Sequence, residues 1–282
     1  MRSTPGGGVL IEEYPHAQPD YTLNGWTTAT LLLDAYAQST GDEEAHEVVS
    51  ASRKGLREML PLYDVPQLAN SRYRLAGPAH VRWTATGPIK VESGSVIVPG
   101  QGEYEINRRA DKWRSYFGTA DEVTATARLL LSRATFPEPN RAVAIVDAAE
   151  QSWVTVQIGQ GTYNPMSVEL EVQSWADVVT VPLHPGQNRV EVRIPWDLAE
   201  LVAYPTSFGK AIGGWQHNQY HYVHIDTLQK LDLRSPDDMF SYYSSRWRRY
   251  VARWPDMPEY QMDGIKHGRH DDPAPESREA QD

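Results

Sequence analysis

The chain has 282 residues, a net charge of −10 and no cysteine. The acidic balance excludes a non-specific nucleic-acid binder, which needs a basic footprint. The missing cysteines exclude a disulfide framework and a thiolate site. A hydrophobic content of 40% can fill a core, and nine Trp and fifteen Tyr stand against four Phe. Trp and Tyr join a flat apolar face to a polar handle, which suits sugar rings as well as ordinary interfaces. No apolar run is long enough to read as a signal peptide or a membrane span, leaving the cytoplasm as the default location.

The lead Met1–Gly8 reads as flexible. After Glu12-Glu13-Tyr14-Pro15-His16 and a turn-rich segment, a helix is predicted from about Asn24, with Trp26, Ala29, Leu33, Tyr36 and Ala37 on one face. Leu31 and Leu32 make its other side apolar too, the mark of a helix covered on both sides. Gly41-Asp42 breaks it. The next stripe is Ala45, Val48, Val49, Ser52, Leu56, Met59 and Leu60, with Pro61 expected to end the helix. Two helices joined by a short turn make an αα-hairpin. Leu62-Tyr63-Asp64 then leads into a loop that reaches Tyr73 and Arg74.

From about Pro78 the period changes from 3.6 to 2. Strands are predicted at Ile89–Val91, Ser95–Val98, Val123–Leu131, Ala142–Val146, Trp153–Val156, Val168–Val172, Val178–Leu183 and Val190–Ile194. So many short strands predict an antiparallel β-sandwich, inserted over residues 78–205 between two helical segments. Helical pattern resumes with Tyr220, His224, Leu228 and Leu231 on one face. A last helix is predicted to start at Ser235-Pro236-Asp237-Asp238 and to bury Met239, Phe240, Tyr243, Trp247, Tyr250, Val251 and Trp254. The polar tail, residues 261–282, is expected to be disordered.

Chemistry-bearing side chains concentrate at Tyr220, His221, Tyr222 and His224. Phenols and imidazoles both move protons once a pocket tunes them. The structural alternative is an aromatic helix end packed in a core, with the histidines hydrogen-bonded to backbone. His221 and His224 have i, i+3 metal-ligand spacing, but no third ligand stands near in sequence. Neither a metal nor another cofactor is expected. Gly209–Gly214 lacks the spacing of a phosphate loop, and no Gly-x-Ser-x-Gly elbow is present.

Three stretches carry a resemblance. Glu12-Glu13-Tyr14-Pro15 with Leu23-Asn24-Gly25, then Met59-Leu60-Pro61-Leu62-Tyr63-Asp64, then Tyr220-His221-Tyr222-Val223-His224-Ile225 resemble the C-terminal helical domain of the heparan-sulfate (heparosan) glucuronyl C5-epimerases. Arg246-Trp247-Arg248-Arg249-Tyr250 resembles the closing helix of that family. The resemblance covers roughly residues 10–75 and 215–255. It implies an α+β chain with a partial (α/α) toroid-like helical domain, residues 10–76 and 212–260, interrupted by the sandwich. It also implies inversion of D-glucuronate to L-iduronate within an acidic polysaccharide.

The implied site pairs Tyr220 with Glu13 as opposed acid and base, while Tyr14 and Tyr73 donate hydrogen bonds or relay protons. Asn24, His221, His224 and Arg246 are the implied substrate-holding residues. Three departures stand out, one being that the family has only a short connection where this chain inserts the β-rich segment. Where the family has Asp-Leu-Arg-His after the loop tyrosine, this chain has Arg74-Leu75-Ala76-Gly77, so the clamping arginine is displaced or lost. The first half of the family's helical barrel, and the β-domain before it, have no counterpart ahead of Glu12.

Removing a proton α to a carboxylate needs a base on one face, an acid on the other and donors aimed at the developing charge. Nearby cations are expected to bring a phenol below its usual value of about 10. A uronate polysaccharide lyase shares the first step, and a non-catalytic carbohydrate-binding protein would use the same aromatics. Four helices cannot close a toroid, so Trp26, Leu31, Leu32, Tyr36, Trp247 and Trp254 are expected to leave an apolar surface uncovered. Such a surface implies self-association or an additional N-terminal domain.

Overall fold

The computed structural model describes residues 1–110, 114–200, 205–212 and 215–266. The expected disordered tail lies outside them from residue 267 onward. The chain opens with a small ladder, β1 (Arg2–Ser3) and β2 (Val9–Leu10), followed by helices α1 (Leu23–Thr40) and α2 (Glu43–Tyr63). A second ladder, β3 (Asp64–Val65) and β4 (Asn70–Ser71), leads into the strand-rich segment. That segment holds β5 (Ala76–Ala85), β6 (Ile89–Val98), β7 (Gly102–Glu105), β8 (Tyr116–Ala120), β9 (Thr124–Ser132), β10 (Arg141–Ala148), β11 (Ser152–Asn164), β12 (Glu169–Leu183) and β13 (Gly186–Arg193). A one-turn helix α3 (Trp196–Ala199), the short pair β14 (Lys210–Ile212) and β15 (Trp215–His217), and helices α4 (Gln219–Arg234) and α5 (Asp238–Val251) complete the order.

The helices do not form part of a toroid. α1 lies on α2 and α4, and α5 lies on α4 and α2, so the four close on one another. Trp26, Leu56, Leu60, Leu228, Phe240 and Trp247 share their core. Polar seams fix the register: the Trp26 indole donates to Ser52 Oγ at 2.9 Å, and Thr227 Oγ1 donates to Thr27 Oγ1 at 2.9 Å. A four-membered cluster buries its own faces, and most of the remaining chain pairs into sheets. Both findings overturn the toroid expectation. Trp26, Trp247 and Trp254 are fully buried, whereas Leu32 is 65% and Tyr36 50% exposed. Gly55 lets the N-terminal ladder lie on α2, because a Cβ there would press against Thr4, the Trp26 ring and the Val9 backbone.

Helix ends follow local chemistry. Asp42 caps α2 by accepting from Ala45 N at 3.1 Å. Pro61 does not end α2; the helix runs two residues further, to Tyr63, whose hydroxyl donates to Tyr21 O at 2.6 Å. A proline so close to the end removes little of the helical ladder. The cap of α5 is Asp237 rather than Ser235, accepting from Met239 N at 3.0 Å.

The strands form two antiparallel sheets, ordered β13-β10-β6-β7 and β12-β11-β5-β9-β8. Alternate residues of each, among them Val81, Trp83, Leu129, Val156, Val96, Ala144, Val146 and Val192, meet in a second core between the sheets. Face-to-face packing of this kind follows from the period-2 pattern. The far end of the β11–β12 hairpin, at Tyr163, Met166 and Val168, packs into the helical core instead. The segment also enters and leaves at one place: Arg72 bridges Pro205, and Thr206 N donates to Ser71 O at 2.8 Å. Among the described residues no helix is long and apolar enough to cross a membrane.

Candidate active site

Three separate stretches converge beside the start of α1. Glu13 and Tyr14 belong to the bent, irregular run ahead of that helix, Tyr73 stands between β4 and β5, and Tyr220 sits in the first turn of α4. Backbone bonds tie them down: Leu23 N donates to Tyr73 O at 2.9 Å, and Leu75 N donates to Asp20 O at 3.1 Å. The Glu13 carboxylate lies over Gly25, where any Cβ would overlap it, so the Leu-Asn-Gly turn is glycine for space. A helix start is also favourable ground for a negative charge. The buried Asn218 caps α4 through His221 N at 3.2 Å and thereby sets the position of Tyr220.

The side chains form a row. Tyr73 donates a hydrogen bond to Tyr14, and Tyr14 donates to Glu13. The Tyr220 ring packs on Tyr73 with centroids 4.7 Å apart and planes at 57°. Glu13 and Tyr220 are exposed, whereas Tyr14 and Tyr73 are half-buried. Burial raises the Tyr14 phenol above its ordinary value, and burial followed by the Glu13 charge holds Tyr73 far above it. This reverses the expectation of lowered phenols. The charge that acts on these rings is a carboxylate, so both phenols keep their protons at neutral pH.

The arginine after Tyr73 is not a free clamp. Arg74 and Asp20 are both buried, and Arg74 Nη1 donates to Asp20 Oδ2 at 3.1 Å. Burial raises the Asp20 carboxyl, with Arg74 and then His16 opposing. His16 Nε2 stands 3.7 Å from the same oxygen, and its ring stacks on Tyr14 at 6.0 Å between centroids. Neither Asp20 nor His16 was singled out in the sequence. The one signal was the basic residue at position 74, which needs an acid to be buried.

The remaining implied residues divide. Asn24 sits in the first turn of α1, and its Oδ1 is buried without a hydrogen-bond partner among the described residues. His221 and His224 are fully buried behind Tyr220 and do not join the row. Ser71 Oγ hydrogen-bonds Nδ1 of both, at 2.8 and 2.9 Å, and His221 Nε2 bonds Trp247 O at 3.0 Å. Burial lowers His221 to about 4 and His224 well below the usual range, so both are neutral. Arg246 is likewise apart, with Nε donating to Asp64 Oδ2 at 2.9 Å and its guanidinium over the Tyr250 ring. No cluster of three or more His, Cys, Asp or Glu among the described residues has a metal-binding arrangement.

Comparison with known proteins bears on this geometry. Residues 1–113 match the family model described as the D-glucuronyl C5-epimerase C-terminus. The match supports the resemblance seen in the sequence. It takes in Glu13, Tyr14, Asn24 and Tyr73 and stops short of Tyr220. A 52-residue stretch is 36% identical to an uncharacterized protein of Methanocaldococcus jannaschii, covering 18% of this chain and only 17% of that protein. No solved structure matches the chain.

Proposed function

We propose that this chain is a C5-epimerase-like protein acting on glucuronate residues of an acidic polysaccharide, interconverting D-glucuronate and L-iduronate. The observation that supports it is the row Tyr73, Tyr14, Glu13 with Tyr220 packed against its far end. In this row the only carboxylate is Glu13, and the phenols next to it are held neutral. Glu13 therefore serves as the base that takes the C5 proton, and Tyr220 returns one to the opposite face. Each turnover leaves a proton on Glu13 and a deficit on Tyr220. Both residues are exposed, so exchange with solvent resets them.

The test is incubation of a glucuronate polymer with the protein in deuterium oxide, followed by NMR of the C5 position. Deuterium gain at C5 together with iduronate signals is the expected result. No gain overturns the proposal, and an ultraviolet-absorbing unsaturated product would make the protein a lyase instead.

A further inference from the structure

The five-stranded sheet has an inner face in the sandwich core and an outer face with different chemistry. On β5 the inward residues are Ala79, Val81, Trp83 and Ala85, which leaves Pro78, His80, Arg82 and Thr84 outside. Cross-strand register extends these into rungs. Pro78 opposes Leu130, His80 opposes Arg128, and Arg82 opposes Thr126 on one side and Gln157 on the other. Further out, Gln157 opposes Asp177 and Gly159 opposes Trp175.

This face starts at the candidate active site. Its first rung follows Tyr73 by only a few residues, and Gln18, from the loop after Tyr14, donates to Leu130 O at 3.1 Å. The rungs beyond carry a prepared set of side chains. The Arg82 guanidinium lies over the Trp175 ring at 4.5 Å, and Arg82 Nε donates to Gln157 Oε1 at 2.8 Å. Gln157 in turn donates to Asp177 Oδ1 at 2.6 Å. No hydrogen bond or ion pair among the described residues engages the two Nη atoms of Arg82. Gly159 has no room for a side chain, because Val172 and His80 already fill the space a Cβ would take and form the floor there. Trp153, on the same face of β11, is 53% exposed. Six residues of strand separate Trp153 from the rung of Trp175, a span of roughly 20 Å. The cations stand on the central strands β5 and β9, and the carboxylates Asp177 and Glu169 on the edge strand β12.

We propose that this outer face is a second binding surface, on which an extended acidic polysaccharide lies across Trp175 and Trp153 while Arg82 meets its carboxylates. The exposed Trp153 ring takes a sugar ring, and the guanidinium held over Trp175 supplies paired donors to an anion beside it. The choice of a uronate polymer as occupant rests on the function proposed above; the surface itself rests on the sheet. Charge separates the reading from one for neutral glycans, because a platform for a neutral polymer needs no unpaired arginine.

The experiment measures affinity of the full chain for a glucuronate polymer and for neutral dextran, with Arg82→Gln, Trp175→Ala and Trp153→Ala variants checked by thermal melting. C5 exchange on a short glucuronate oligosaccharide is followed in parallel. The expected result is about tenfold weaker polymer binding for Arg82→Gln and Trp175→Ala, a smaller loss for Trp153→Ala, and unchanged exchange on the oligosaccharide. Unchanged polymer affinity in folded Arg82→Gln and Trp153→Ala overturns the proposal, as does equal binding of dextran. A wild type without exchange whose variants still lose polymer binding supports this surface and overturns only the catalytic reading.

Discussion

Replacing Asp64 with alanine tests how the end of α2 is held to the last helix. Three donors converge on this one carboxylate: Arg246 Nε at 2.9 Å, the Trp247 indole at 3.0 Å and the Tyr250 hydroxyl at 2.9 Å. Trp247 is fully buried and Tyr250 nearly so, so both donors lose a partner at a site with little access to water. An unsatisfied buried donor costs about 1–3 kcal/mol. Arg246 is different, because 29% of its side chain is exposed and water can replace the ion pair. Its share is under about 1 kcal/mol. The sum for Asp64→Ala is about 3–5 kcal/mol, while Asp64→Asn, which keeps one acceptor oxygen, loses about 1 kcal/mol. Urea unfolding reads this directly as a lower midpoint at unchanged slope. An Asp64→Ala protein within about 1 kcal/mol of the wild type would refute the reasoning. Arg246→Ala belongs to the same experiment: a mild destabilisation with C5 exchange retained is expected. Exchange lost from a folded Arg246→Ala protein would put that arginine on the substrate after all.

Tyr220→Phe should abolish C5 exchange while polymer binding stays intact, and Tyr14→Phe should slow exchange by cutting the hydrogen-bonded row; kinetics on folded variants check both. A Tyr220→Phe protein that retains most of its exchange removes this phenol from the mechanism. The two buried histidines predict acid sensitivity. Burial lowers His221 to about 4 and His224 well below the usual range, so between about 6.5 and 4 the unfolded chain binds protons that the folded chain refuses. Stability from this source is full above about pH 6.5 and is lost as the pH falls, by up to about 2.7 kcal/mol per pH unit for two protons. Urea-derived stability that is flat between about pH 6 and pH 5 contradicts this. Residues 76–200, expressed alone, should melt cooperatively with a strand-dominated circular dichroism spectrum, because their core lies between their own two sheets.

The helices were legible because their apolar stripes are long. Ala45 to Leu60 reads as one face on any count, and α2 follows it. β5 escaped because Gly77, Pro78, His80 and Arg82 break the apolar alternation of a strand whose outer face is polar. β12 read as two pieces, since an edge strand in contact with solvent needs no continuous pattern. The helical arrangement misled for another reason: the toroid was what the resemblance implied, and periodicity, which gives each helix a face but not a partner, could not correct it. At the site, the resemblance to the epimerases named Glu13, Tyr14, Tyr73 and Tyr220, which the fold brings together. It could not show that His221 and His224 point into the core, nor that Arg74 is spent on Asp20, because those facts are set by neighbours distant in sequence.

The bridge between Arg72 and Pro205 has a consequence for how the chain folds. Tyr73 and Tyr220 are separated by a long stretch of chain, and bringing such distant ends together costs conformational entropy that grows with the length of the loop. The sheets remove most of that cost. Once they have formed, with entry and exit already side by side, the two helical hairpins are joined by what is in effect a short, stiff connection. Pairing of strands distant in sequence is the slow kind of step, so it is expected to limit the folding rate. The chemistry-bearing row, whose members come from both sides of the connection, exists only where that connection is closed.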